Sequence, residues 1–218
     1  MQGSKKNRKR KVTDIPIFLD ERLWRDLENL VDKCKWPYKS NNESDYQQRD
    51  QALVCLLILT GLRISELLKL RKLQFRIYKS RIELANVQTL KHGELRKKII
   101  LPKRGSLAYF TRKFENWLVT VPTEDSYVFP RGRYPALEDL AFFWNKPLGR
   151  KRVYWIIHET TNRFPHWFRS VTETIYGRLV FRSDAWKLKE FMGLRRLDST
   201  SAYVKGSWEE DIDRIYNI

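Results

Sequence analysis

Residues 46–60, YQQRDQALVCLLILT, constrain this chain more than any other stretch. A polar front gives way to the longest clean apolar run of the sequence, ALVCLLIL, residues 52–59. That is far short of a membrane span, which takes about 20 residues. The run reads instead as a buried helix, and Thr60-Gly61 ends it. A chain of 218 residues with 42% hydrophobic and 13% aromatic side chains has the material to enclose such a helix in one domain.

The charge balance is lopsided. Lys and Arg total 43 against 26 acids, for a net charge of +17. Such an excess implies a polyanionic partner, nucleic acid ahead of an acidic membrane surface. Residues 1–12, MQGSKKNRKRKV, are a basic run, read equally as a solvated tail or an arm that tracks phosphates. No apolar signal core follows it, so the expectation is a cytoplasmic protein that is not secreted. Two cysteines, Cys34 and Cys55, make no disulfide framework. The sequence has no CxxC, no HExxH, no Walker loop and no dinucleotide fingerprint. Neither a metal nor any other cofactor is expected.

Periodicity places the other elements. LDERLWRDLENLVDKC (19–34) carries Leu23, Trp24, Leu27, Leu30 and Val31 at helical spacing. KWPYKSNNES is a loop by composition. ISELLKLRKLQ, 64–74, restarts a helix. RIYKSRIELANV and LRKKIILP then alternate β-formers, which predicts a small sheet with a hairpin turn near His92-Gly93. SLAYFTRKFENWLVTV is an amphipathic helix, and VPTEDSYVFPRGRYP is loop. From about residue 148 the chain is helical again. Ser183 is the expected N-cap and Gly193 the expected C′ residue of the helix in SDAWKLKEFMG. DSTSAYV opens a further short helix.

Three short strings carry chemistry. In TGLRISELLKL, Arg63 stands at the front of a helix, where a cation is repelled by some tenths of a kcal/mol. An anion bound there reverses the sign, because backbone N–H groups and a guanidinium would then point at the same oxygens. Glu66, one turn on, can brace the guanidinium; read blandly, the two form a surface ion pair. FPHWFR places His166 and Arg169 three apart, on one helical face. Alone, that spacing is a weak signal and more often means a capping histidine and a surface arginine. In MGLRRLDSTSAYV, Tyr203 follows Gly193 by ten residues, in a short helix where a lone tyrosine is usually packing.

In this order, TGLRISELLKL, H-x-x-R and G…STSAY resemble the tyrosine recombinase (phage integrase) family, over essentially the whole chain from about residue 14. The resemblance implies an α+β fold, mainly α, with helices around a small antiparallel sheet. It implies a basic tail at 1–13, a catalytic domain at 14–218, and no separate N-terminal core-binding domain. The implied activity is site-specific cleavage and rejoining of DNA strands through a 3′-phosphotyrosine link. A type IB topoisomerase-like relaxation and a weak or inactive DNA-binding relic are the competing readings.

By the same resemblance, Arg63, Arg169, His166 and Tyr203 are catalytic. The general acid is a lysine of the hairpin turn. Lys91, immediately before His92-Gly93, is the first choice, with Lys97 and Lys98 as rivals. Arg150, Lys151 and Arg152 open a helix expected to approach DNA, joined by Arg195 and Arg196. The expected partners are double-stranded DNA and further copies of the chain, as a tetramer on DNA and a monomer when free. At one position the sequence departs from the family: Leu194 stands where His or Trp usually follows the glycine.

Overall fold

The computed structural model describes Leu19 and residues 21–34, 43–88, 96, 98–131 and 144–194. Its centre is α2, Glu43–Thr60, whose residues 52–59 are at most 1% exposed. A helix apolar on every side needs neighbours on every side. Around α2 pack α1 (Glu21–Asp32), α4 (Ala108–Leu118), α6 (Pro165–Ile175) and strand β3 (Ile99–Pro102). Helix α1 buries Leu23, Leu27 and Val31 and leans Trp24 and Leu30 on the same core. Cys34 and Cys55 are both buried free thiols.

After Gly61 comes α3, Ile64–Leu67. It is a single turn, where the sequence predicts a helix through residue 74. The next backbone groups pair at long range instead. The Leu70 carbonyl accepts from Val128 N, and Lys72 N and Leu73 N donate to the carbonyls of Ser126 and Glu124. These bonds hold Leu70–Leu73 against a distant loop, and helix propensity is too weak to compete. A 3₁₀ turn, Lys72–Gln74, leads into the sheet.

The sheet has three antiparallel strands in sequence order: β1 (Phe75–Ile77), β2 (Arg81–Leu84) and β3. Ile82 faces Leu101, and Leu84 faces Ile99, all buried. RIYKSRIELANV is therefore a hairpin of its own, turning at Lys79-Ser80, not one strand. The second expected turn, His92-Gly93, lies outside the described residues.

Helix α4 seals the core with Phe110, Phe114 and Trp117, whose Nε1 donates to the Val128 carbonyl at 2.8 Å. Helix α5, Arg150–Thr161, ends at Asn162 in the left-handed conformation, which asparagine tolerates. Helix α6 starts on Pro165 and runs into a π-turn, Tyr176–Val180. Helix α7 spans Ala185–Met192. Its N-cap is Asp184, not the expected Ser183: the Asp184 carboxylate accepts from the backbone N–H of Trp186 and Lys187, both at 3.0 Å. Ser183 is one residue too early and sits at φ 65°. Gly193, at φ 60°, ends α7 as a left-handed glycine. Among the described residues no helix is long and apolar enough to cross a membrane.

Candidate active site

Thr60 closes α2 with its hydroxyl bonded back to the Leu56 carbonyl. The chain then turns at Gly61, φ 55°. A Cβ here would lie 2.6 Å from the Met192 methyl and 3.2 Å from Thr172. Only glycine allows α6 and the end of α7 to come this close to the turn. Two residues on, Arg63 is extended, at φ −69° and ψ 147°. Its Nη1 meets Glu66 Oε1 at 2.8 Å, and its backbone N–H donates to Glu66 Oε2 at 3.0 Å. The Glu66 side chain is fully buried, whereas that of Arg63 is 33% exposed. Glu66 thus holds Arg63 at both its backbone N–H and its guanidinium, while a third of the Arg63 side chain stays exposed. Because α3 is one turn long, its dipole is a minor influence here, and the charge of the site resides in side chains.

Arg169 reaches the same turn from α6. Its Nη1 donates to the Gly61 carbonyl at 2.6 Å and its Nη2 to the Met192 carbonyl at 2.9 Å. Its Nε lies 3.2 Å from Glu173 Oε1, one helical turn on. Both side chains are buried. A buried cation costs several kcal/mol unless paired and hydrogen-bonded, and Arg169 has both kinds of partner. One guanidinium therefore joins the end of α2, the middle of α6 and the C-terminus of α7.

A third guanidinium, missed in the sequence, belongs to the same cluster. Arg96, ahead of β3, is 5% exposed. Its backbone N–H donates to the Val87 carbonyl at 2.8 Å. Its Nη2 donates to the Phe191 carbonyl, beside the Met192 carbonyl that Arg169 takes. Its Cζ lies 5.9 Å from the Phe191 ring centroid. Nε and Nη1 of Arg96 are buried without a hydrogen-bond partner. Burial first, and then the charge of Arg169, pull the Arg96 guanidinium down to about 10, still protonated at neutral pH; Arg63 adds to the shift, and Glu66 and Glu173 oppose it.

The fold that carries these residues is shared with solved proteins. A XerH site-specific recombinase in a post-cleavage complex with palindromic difH substrate superposes with TM-score 0.64 at 17% identity, over 93% of this chain and 53% of that one. The XerA recombinase gives 0.56 at 17% identity, over 94% and 65%. The Tn1549 transposon integrase, bound to a circular-intermediate DNA, gives 0.51 at 12%, over 88% and 63%. This fold is that of the tyrosine recombinase catalytic domain. The chain spans roughly half to two thirds of the length of these chains. No protein-family model matches the sequence, and no curated protein sequence does.

In this recombinase fold, His166 lies in the first turn of α6, exposed, three residues before buried Arg169. Leu194 directly follows the left-handed glycine; its N–H bonds the Lys189 carbonyl at 2.9 Å and its side chain packs on the core. At the start of α5, Arg150 and Lys151 are exposed, while Arg152 is half-buried over the Trp155 ring at 4.1 Å. Lys98 lies at the edge of the sheet, 2.9 Å from Glu83, which also holds Arg81 at 2.9 Å. Lys91, Lys97, Arg195, Arg196 and Tyr203 lie outside the described residues.

Two members of the cluster escaped the sequence reading. Glu173 had a signal, because it stands four residues after Arg169, the helical ion-pair spacing. Arg96 had none. Alternation from buried Ile99 and Leu101 puts residue 96 on the outer face with Lys98 and Ile100, yet Arg96 is buried. Among the described residues no group of three His, Cys, Asp or Glu side chains could hold a metal ion.

Proposed function

We propose that this chain cuts and rejoins DNA strands as a tyrosine-type site-specific recombinase. The observation that carries the reading is the meeting of Arg63 and Arg169, 106 positions apart in sequence, at the Gly61 turn of a fold shared with site-specific recombinases. The net charge of +17 and the exposed Arg150 and Lys151 support double-stranded DNA as the substrate.

In this reading Tyr203 Oη attacks a backbone phosphorus. An O–P bond forms to the tyrosine as the bond to the 5′ oxygen breaks. His166 takes the phenol proton or bonds a phosphate oxygen, and Lys91 protonates the leaving 5′ oxygen. Negative charge grows on the non-bridging oxygens in the transition state, where Arg63 and Arg169 bind it. Losing one such donor costs about 3–4 kcal/mol, or about 10²–10³ in rate. The phosphotyrosine link conserves the energy of the broken bond, so rejoining needs no nucleotide.

The test is covalent capture. The protein is incubated with a randomised pool of nicked duplexes, and adducts that survive denaturant are isolated and sequenced. The expected product is a 3′-phosphotyrosyl adduct, absent with Tyr203→Phe although DNA binding persists. An adduct that forms with Tyr203→Phe refutes the nucleophile. DNA binding without any adduct favours the second reading, a DNA-binding relic. Leu194 is the observation behind that alternative, since its side chain offers no hydrogen bond to a phosphate.

A further inference from the structure

Charge bookkeeping around the Gly61 turn does not close. Arg63 pairs with Glu66 and Arg169 with Glu173, and Arg96, the third guanidinium, lies near enough to feel the charges of all four. Three cations against two anions leave one positive charge among the described residues of the cluster. Hydrogen bonds tell the same story. Arg169 is bonded through all three of its nitrogens. Arg96 is bonded through Nη2 alone, leaving the three N–H donors of Nε and Nη1 with no acceptor.

Capping α7 explains one of the Arg96 nitrogens and no more. A helix C-terminus attracts a cation, and the Phe191 carbonyl takes Nη2. Buried polar groups are nearly always paired, so a buried guanidinium with two unpaired nitrogens calls for a further acceptor. A single phosphodiester supplies what the cluster lacks: one negative charge and oxygens that accept several bonds at once.

We infer that Arg96 is a third phosphate-binding guanidinium of the site, acting beside Arg63 and Arg169 on the same phosphodiester. The inference rests on the recombinase reading for the identity of its substrate. It also gives the position of Leu194 a consequence: a site without the usual hydrogen-bonding side chain there has an additional cation within it.

The experiment uses the full chain and inorganic phosphate as the probe. Arginine Nε–H resonances are followed by ¹H–¹⁵N spectroscopy during a phosphate titration, with sulfate as a second anion. The Arg96 Nε–H resonance is expected to shift saturably, together with that of Arg63. Arg96→Met is expected to weaken phosphate binding about ten- to a hundredfold, the value of a charge-assisted hydrogen bond. Arg96→Lys, which keeps the charge, should fall between Arg96→Met and the parent. A residue that only caps α7 would lower the melting temperature when replaced, and in the parent its Nε–H resonance would not follow the phosphate titration. An Arg96 resonance unmoved while Arg63 saturates overturns the inference, as does a folded Arg96→Met that binds phosphate like the parent, or a parent that binds none. If Arg96→Met does not fold, the parent titration decides alone. The outcome is independent of adduct formation: a chain that binds phosphate through Arg96 but never forms the Tyr203 adduct loses the recombinase reading and keeps the anion site. One that forms the adduct at an unchanged rate with Arg96→Met loses only the inference.

Discussion

Arg169 holds the carbonyl of Gly61 through Nη1 at 2.6 Å, so a side chain in the middle of α6 fixes the turn that presents Arg63. The same guanidinium holds the last residue of α7 through the Met192 carbonyl. The site is therefore anchored to the core. Arg169 gives up much of its donor capacity to scaffold, while the Arg63 side chain stays one-third exposed.

Arg169→Ala should therefore be a stability variant as well as an activity variant. It removes the cation beside the buried Glu173 carboxylate and the donor to two carbonyls, a loss of about 3–5 kcal/mol. Arg169→Lys retains the charge but cannot fork between Gly61, Met192 and Glu173. Denaturant unfolding should rank the parent above Arg169→Lys and Arg169→Ala last. Adduct yield should fall by about 10²–10³ in Arg169→Lys. A lysine variant with parental adduct yield would show that the fork geometry is dispensable.

Gly61→Ala tests the close approach of the helices without touching any charge. The alanine would stand at φ 55°, with its Cβ 2.6 Å from the Met192 methyl. Backbone strain alone is worth about 1–3 kcal/mol, and the contact with the threonine at 172 adds to it. The Met192 side chain can swing aside more easily than Thr172, whose hydroxyl lies 2.8 Å from the Ile58 carbonyl. Pairing Gly61→Ala with Met192→Ala should thus recover part of the lost melting temperature. Equal melting temperatures for the single and double variants would remove the methionine as the cause.

The sequence showed the parts of this site that carry local patterns. Helix α2 was visible as an unbroken apolar run, and Arg63–Glu66 and His166–Arg169 lie within one helical turn of each other. The fold as a whole followed from a resemblance of ordered motifs, and the superpositions agree with it. What failed was non-local. The helix expected through residue 74 is one turn long because Leu70, Lys72 and Leu73 pair with residues 124–128. Arg96 is hidden because LRKKIILP offers three cations in a row, and nothing local says which one turns inward. Its neighbours, Arg169 and Phe191, are 73 and 95 positions away.

The choice of general acid can be narrowed by chemistry. Lys98 is exposed and tied to Glu83, whose carboxyl is held below its usual range by hydrogen bonds from Lys98 and then Arg81. A lysine already paired with a carboxylate is less free to deliver a proton to a leaving group. Lys98→Ala should leave adduct formation within about threefold of the parent, a change under 1 kcal/mol. Lys91→Ala should lose about 10²–10⁴ on an ordinary duplex, the usual worth of a general acid. On a duplex whose scissile 5′ oxygen is replaced by sulfur, the leaving group needs no proton and the Lys91→Ala defect should vanish. A Lys98→Ala defect rescued by the same substitution would transfer the role.

The N-cap of α7 gives a pH-dependent prediction. Asp184 accepts from the backbone N–H of Lys187 and Trp186 and lies 3.2 Å from the Lys187 ammonium. These contacts, the Lys187 backbone bond first, hold its carboxyl below the ordinary 3.8. A carboxylate with a depressed folded-state pKa stabilises the protein above its unfolded pKa. That contribution is lost as pH falls through the folded-state value. The melting-temperature gap between the parent and Asp184→Ala should be full at pH 7 and close progressively below about pH 4. Asp184→Asn keeps the capping geometry without titrating, so at neutral pH it should melt near the parent. The cap also reaches the site. Helix α7 delivers the Phe191 and Met192 carbonyls to Arg96 and Arg169, so a frayed α7 loosens both guanidinium groups. Asp184→Ala should therefore weaken phosphate binding at pH 7 although Asp184 contacts none of the three arginines. An Asp184→Ala variant with a lowered melting temperature but parental phosphate affinity would show that the end of α7 is held by the arginines rather than holding them.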